Sequence, residues 1–170
     1  MKLILICILT LLINTEQLPS IKNFHKVDDN LYRSAQPSKQ GMKELESFGI
    51  KSILNVRNFI DDDFEIKQTN LKQIKVSMRA KTVSYENLKD AMIAIKYADK
   101  PILIHCLHGS DRTGATVAAY RVIFNDWSRE KAIEEFLRPE NGYNATFFPN
   151  ILELLKTVDF NQLKRDIAKN

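Results

Sequence analysis

The run Pro101-Ile102-Leu103-Ile104-His105-Cys106-Leu107-His108-Gly109-Ser110-Asp111-Arg112-Thr113-Gly114 constrains this chain more than any other stretch. Ile102, Leu103 and Ile104 are apolar without alternation, the pattern of a central strand buried on both faces between helix layers. Behind the loop, Ala115, Val117, Ala118, Ala119, Val122 and Ile123 describe a helix that is apolar almost all round and therefore buried. A strand, a glycine-bearing loop and a helix in this order make an anion cradle. Successive backbone N–H groups point inward as a nest, and the helix adds the positive end of its dipole. Cys106 falls at the carboxyl end of the strand, where open α/β sheets place their ligands.

The field of such a loop lowers the pKa of a thiol at its mouth, so Cys106 is expected to be a thiolate and a nucleophile. Arg112, six positions on, supplies the planar fork that grips two oxygens of a tetrahedral anion. Phosphate is the guest that suits both groups, and attack of sulfur on phosphorus is the reaction they suggest.

The rest of the chain reads as one α/β domain. His25 to Arg33 is expected to form two short strands about an Asp28-Asp29-Asn30 turn. Ser38 caps a helix carrying Met42, Leu45 and Phe48 and closed by Gly49. Lys51 to Val56 reads as a strand, Arg57 to Asp63 as a polar loop, Phe64 to Leu71 as a short helix, and Ile74, Val76 and Met78 as an alternating strand. Ser84 caps a helix over Tyr85 to Ala98, with Glu86 in its first turn. Ser128 caps another over Arg129 to Leu137, and the segments Ile151 to Val158 and Leu163 to Ala168 close the chain as amphipathic helices. The expected architecture is a mostly parallel sheet of four to five strands flanked by helices. No internal repeat or second domain is evident.

The 170 residues suit a single core, and 44% hydrophobic with 27% charged content excludes a disordered chain. A pI near 9.0 favours anionic substrates. The positive charges are scattered, so a nucleic-acid partner is not expected. Lys2 followed by the apolar run Leu3 to Leu9 and Leu11 to Ile13 matches a signal peptide and is short for a membrane span. Residues 1–17 are therefore expected to direct export, to a periplasm or out of the cell. If uncleaved they serve as an anchor through residues 3–13, the one membrane contact expected of the chain. The remaining domain is placed at 21–170 and expected to be monomeric. Of the two cysteines, Cys7 lies in the leader, which leaves Cys106 without a disulfide partner. Three histidines without paired ligand spacing give no expectation of zinc.

His105-Cys106-x-x-Gly109-x-x-Arg112-Thr113-Gly114 resembles the signature of the cysteine-dependent protein tyrosine and dual-specificity phosphatases. The segment Leu31-Tyr32-Arg33-Ser34-Ala35-Gln36-Pro37 resembles the start of their compact bacterial and fungal branch. Tyr120-Arg121-Val122 and Trp127-Ser128 are similar to exported bacterial tyrosine phosphatases. The resemblance runs from about Phe24 to Phe136. It implies a dual-specificity phosphatase-like fold and hydrolysis of phosphotyrosine, with phosphoserine and phosphothreonine as further substrates, in phosphorylated proteins. It implies a cysteinyl-phosphate on Cys106, phosphate held by the N–H groups of Leu107, His108, Gly109, Ser110, Asp111 and Arg112, and a Thr113 hydroxyl bond to the sulfur. No metal or organic cofactor is implied. His105 organises the loop from behind, since a side chain one residue before Cys106 points off the other face of the strand. His108 either touches substrate or stands as a solvated rim residue.

The chain departs from the family in one respect. The loop Arg79 to Tyr85, where relatives carry a general-acid aspartate, has no carboxylate. Asp111, beside Arg112, is the preferred substitute, because an acid there needs no loop movement and phosphoinositide phosphatases carry an aspartate before the loop arginine. Asp61-Asp62-Asp63 is the second candidate, and the absence of any protein acid the third. The missing acid leaves two rival readings: a phosphoinositide or inositol-phosphate phosphatase, and a pseudophosphatase that only binds phosphotyrosine.

Overall fold

The elements run β1 (His25–Lys26), β2 (Leu31–Ser34), α1 (Lys39–Ser47), β3 (Ser52–Asn55), α2 (Asp63–Ile66), β4 (Lys72–Lys75), α3 (Tyr85–Tyr97), β5 (Ile102–His105), α4 (Asp111–Phe124), α5 (Arg129–Leu137), α6 (Pro149–Thr157) and α7 (Phe160–Ala168), with short 3₁₀ turns at Ala80–Thr82 and Pro139–Asn141. These come from a computed structural model that describes residues 18–170. The leader expected at residues 1–17, with Cys7, lies outside the described residues.

β5 is the middle strand of a five-stranded sheet ordered β1-β2-β5-β3-β4. Its neighbours β2 and β3 both run parallel to it, with Leu103 opposite Tyr32 on one side and Ile53 on the other. β4 extends the sheet in parallel, and β1 pairs antiparallel with β2 as the expected hairpin. Every residue of β5 is buried. Its alternation divides the interior: Ile102 and Ile104 join the larger core with Leu88, Met92, Ala118, Ile151 and Leu163, while Leu103 joins Met42, Leu45, Ile50 and Ile53 under α1. Continuous apolarity in this strand thus serves two helix layers.

Local signals account for most boundaries. Ser38 accepts from Gly41 N at 3.1 Å to start α1, and Gly49 ends it at φ +101°. Ser84 starts α3 through a reciprocal pair with Asn87, so Asn87 rather than the charge of Glu86 completes the cap. Two elements are shorter than the sequence pattern suggests. α2 stops at Ile66 because both the backbone N–H and the hydroxyl of Thr69 donate to the Ile66 carbonyl and close the turn. β4 stops at Lys75 because its only partner, β3, ends at Asn55, so Val76 makes one last bond to Asn55 O and Met78 leaves the sheet.

Leu103 is fully buried at the centre of this arrangement. Leu103→Ala is expected to cost about 2–5 kcal/mol through lost burial and a residual cavity. Urea unfolding should show this as a lower midpoint at unchanged slope.

Candidate active site

Cys106 follows β5 directly, and the loop from Leu107 to Ser110 carries the chain into the first turn of α4. The sulfur lies at the bottom of this loop, with the residue 1% exposed. What shapes the loop is where its carbonyls go. His105 Nδ1 lies 3.1 Å from Cys106 O, Gln36 N donates to Leu107 O at 3.2 Å, Asn23 Nδ2 donates to His108 O at 2.7 Å, and Arg33 Nη2 donates to Gly109 O at 2.6 Å. In a planar trans peptide the C=O and the following N–H point opposite ways. Four carbonyls fixed outward therefore turn the N–H groups of Leu107, His108, Gly109 and Ser110 inward.

Among the described residues, the N–H groups of Leu107, His108, Ser110, Asp111 and Arg112 donate to no protein backbone or side-chain oxygen. They are the orphan donors of a loop and a helix N-terminus, and the α4 dipole adds positive potential to them. Gly109 is required here: its φ is +74°, and a Cβ would lie 2.5 Å from the Ser34 backbone. At Gly114 a Cβ would meet the Phe136 ring at 2.8 Å, which is how α4 and α5 approach closely.

Burial alone would push the Cys106 thiol up. The Thr113 hydroxyl, the N–H groups of Thr113 and Gly109 and the charge of Arg112 outweigh it and hold the thiol below its ordinary range. The Thr113 hydroxyl is buried and meets no acceptor at full hydrogen-bond geometry. With no competing partner, its proton is free to turn toward the sulfur. Arg112 is half-buried, its Nη1 donating to Met78 O at 3.3 Å while Nε is unpartnered. One arm is tied and the rest of the fork stays open to an anion.

Asp111 is 7% exposed and accepts from Asn144 N at 2.9 Å through Oδ1. Of the aspartate run, Asp61 on the loop after β3 and Asp63 at the start of α2 are exposed, but Asp62 between them is fully buried. Its Oδ2 lies 2.7 Å from His105 Nε2, and its Oδ1 accepts from Gln36 Nε2 at 2.6 Å. Burial pushes its carboxyl up, yet the His105 bond and charge and the amides of Gln36 and Asn55 hold it below the usual carboxylate range. Both oxygens are occupied, so Asp62 is not placed to protonate a leaving group. Leu107 and His108 stand exposed on the rim, and Ser110 is buried against it. Among the described residues no three His, Cys, Asp or Glu side chains converge as metal ligands.

The sequence pattern did not single out Asn23, Arg33 or Gln36 as part of this site. Arg33 is 4% exposed and ties Gly109 to Asn141, whose Oδ1 accepts from its Nη1 at 2.8 Å. Its one signal was the Leu31 to Pro37 segment, legible as a resemblance and not as a brace.

A tyrosine phosphatase family model matches residues 18–164. The chain belongs to the tyrosine phosphatase family. The match runs past Leu137 into α7. Among curated relatives, the dual specificity protein phosphatase TpbA of Pseudomonas aeruginosa is 31% identical over 71% of this chain and 55% of its own length. The inositol diphosphatase DSP5 of Arabidopsis thaliana is 32% identical over 67% of this chain and 60% of its own. The inositol diphosphatase SIW14 of Saccharomyces cerevisiae is 29% identical over 93% and 58%. The chain thus spans little more than half the length of these relatives. In solved structures, P. aeruginosa TpbA superposes with a TM-score of 0.79 at 25% identity over 89% of this chain and 94% of its own. The Siw14 catalytic core gives 0.73 at 26% over 92% and 96%.

Thr113→Val removes the one hydroxyl beside the sulfur at nearly equal volume. The Cys106 thiol should then ionise at higher pH, seen as an upward shift in the pH profile of alkylation at the Cys106 peptide by mass spectrometry. An unshifted profile would exclude the hydroxyl from stabilising the thiolate.

Proposed function

We propose that the protein removes the phosphoryl group from phosphotyrosine in phosphorylated proteins, through a phosphocysteine intermediate on Cys106. The observation that carries this reading is the combination of one guanidinium in the cradle with an apolar rim. Leu107, His108 and Ser110 add no lysine or arginine to the loop, so Arg112 alone grips the anion there, which suits a single phosphate monoester. Leu107 on the loop itself is 44% exposed, and Phe59, which packs under Arg79, and Phe147, whose N–H donates to the Asn144 that holds Asp111, are 77% and 66% exposed. Arg79 is the residue after the Met78 whose carbonyl holds Arg112. Large apolar side chains kept in water beside an anion site suit an aromatic phosphoester better than a polar one.

In this reading the Cys106 thiolate attacks phosphorus in line. The inward N–H groups and the Arg112 fork hold the equatorial oxygens, where charge gathers in the transition state. The P–O ester bond breaks, and its electron pair leaves with the phenolic oxygen. Asp111 donates the proton: it stands in the first turn of α4 next to Arg112, and its Oδ2 has no hydrogen-bond partner among the described residues. Water then cleaves the P–S bond, releasing phosphate and returning the thiolate, with Thr113 stabilising sulfur as it leaves.

A second reading, hydrolysis of an inositol phosphate or phosphoinositide, is supported by exposed Arg79 and Lys81 near the rim and by the inositol diphosphatase relatives. Rates on a phosphotyrosine peptide, a phosphoserine peptide and an inositol pyrophosphate decide between them. The highest kcat/KM is expected on the phosphotyrosine peptide, and a higher value on the inositol substrate would replace the first reading with the second.

Cys106→Ser should abolish turnover of an aryl phosphate while leaving inorganic phosphate binding in place, and residual turnover would contradict the nucleophile. Asp111→Asn should slow an alkyl phosphate at least about tenfold more than an activated aryl phosphate, whose leaving group needs little protonation. Equal rates for variant and parent on both substrates would remove Asp111 from the role.

A further inference from the structure

Two of the four carbonyl braces converge on one side chain that no sequence pattern distinguished. Asp62 is fully buried, with Oδ2 at 2.7 Å from His105 Nε2 and Oδ1 accepting from Gln36 Nε2 at 2.6 Å. His105, also fully buried, places Nδ1 3.1 Å from Cys106 O, and Gln36 donates its backbone N–H to Leu107 O at 3.2 Å. The Cys106 carbonyl is an acceptor only, so His105 bonds it by donating from Nδ1. The two peptide units that follow the sulfur, Cys106–Leu107 and Leu107–His108, are thus held by two residues that share one carboxylate.

We propose that Asp62 is a positioning residue for the phosphate-binding loop: through His105 and Gln36 it aims the N–H groups of Leu107 and His108 at the substrate phosphoryl group. The inference rests on the phosphatase reading of the loop. A carboxylate suits this task because both of its oxygens accept, and both residues turn a nitrogen toward it. An alanine at this position would leave both nitrogens without their shared acceptor. Arg57 Nη1 fixes the far side of Gln36 by donating to its Oε1 at 2.7 Å. The loop bearing Asp62 is itself tied down: Ser77 Oγ donates to Asn58 O at 2.8 Å and Asn55 Nδ2 to Ile60 O at 3.0 Å. The clamp therefore has a rigid base, as precise donor placement requires.

The other two inward N–H groups, on Gly109 and Ser110, are aimed by Asn23 and Arg33 and do not depend on Asp62. This separation makes the test selective. In amide NMR of the protein titrated with inorganic phosphate, the parent should show large shifts at Leu107, His108, Ser110 and Arg112. In Asp62→Ala the responses of Leu107 and His108 should be lost and those of Ser110 and Arg112 kept. Its kcat/KM on an aryl phosphate should fall about tenfold or more, chiefly in kcat, since donors off aim are missed most in the transition state. Gln36→Ala cuts one arm alone and serves if Asp62→Ala does not fold. It should weaken His108 and spare Leu107.

Retention of both the Leu107 and His108 responses in Asp62→Ala, or of the His108 response in a Gln36→Ala used in its place, would overturn the proposal. Equal loss at all four amides would overturn it as well, since that is general disorder of the loop. A parent in which no loop amide responds to phosphate would instead overturn the phosphatase reading and the proposal with it.

Discussion

Four consecutive carbonyl groups, from Cys106 to Gly109, are turned outward by donors that the rest of the fold supplies, and the site depends on this constraint. A loop left to itself satisfies its N–H groups locally. Here the donors come from the end of β5, from β2, from the segment after β2 and from Asn23 ahead of β1. The short N-terminal hairpin buries Leu31 in the larger core and packs Phe24 and Tyr32 against Phe48, and Asn23 and Arg33 at its two ends brace half of the cradle. Its place beside β5, in register with Leu31 to Ser34, is what puts Arg33 within reach of Gly109.

The same constraint resolves the cost of a buried thiolate. Desolvation works against a charge on a residue 1% exposed. The Thr113 hydroxyl, the N–H groups of Thr113 and Gly109 and the charge of Arg112 reverse it without any movement at the moment of reaction, which is preorganisation in its electrostatic sense. Arg33 adds a second buried cation behind the loop. Burial pushes its pKa down, while the charges of Glu135 and Cys106 push it up. Cradle and brace thus support the same charge from two sides.

The sheet, the loop and most helices were legible in the sequence because their signals are local: unbroken apolarity in Ile102 to Ile104, serines before periodic segments, glycine at a left-handed turn. The reach of β4 was not, because Val76 and Met78 alternate correctly but have no β3 residue left to pair with. Asp62 was hidden more deeply. Asp61, Asp62 and Asp63 are chemically identical in sequence, and only the long-range approach of His105 and Gln36 separates the buried middle one from its exposed neighbours. Arg33 is separated from its partner Gly109 by the chain between β2 and β5, so nothing local marks it as a brace. The residues proposed to do chemistry are marked by type and spacing, and those that brace the loop are not.

The central claim is that Cys106 carries the phosphoryl group during turnover. Rapid acid quench of the enzyme with an aryl phosphate, followed by mass spectrometry of the Cys106 peptide, tests it most directly. A single added phosphoryl group on Cys106, formed before steady state and absent in Cys106→Ser, is the expected result. Turnover with the Cys106 peptide unmodified throughout, or with the phosphoryl group on another residue, would contradict it.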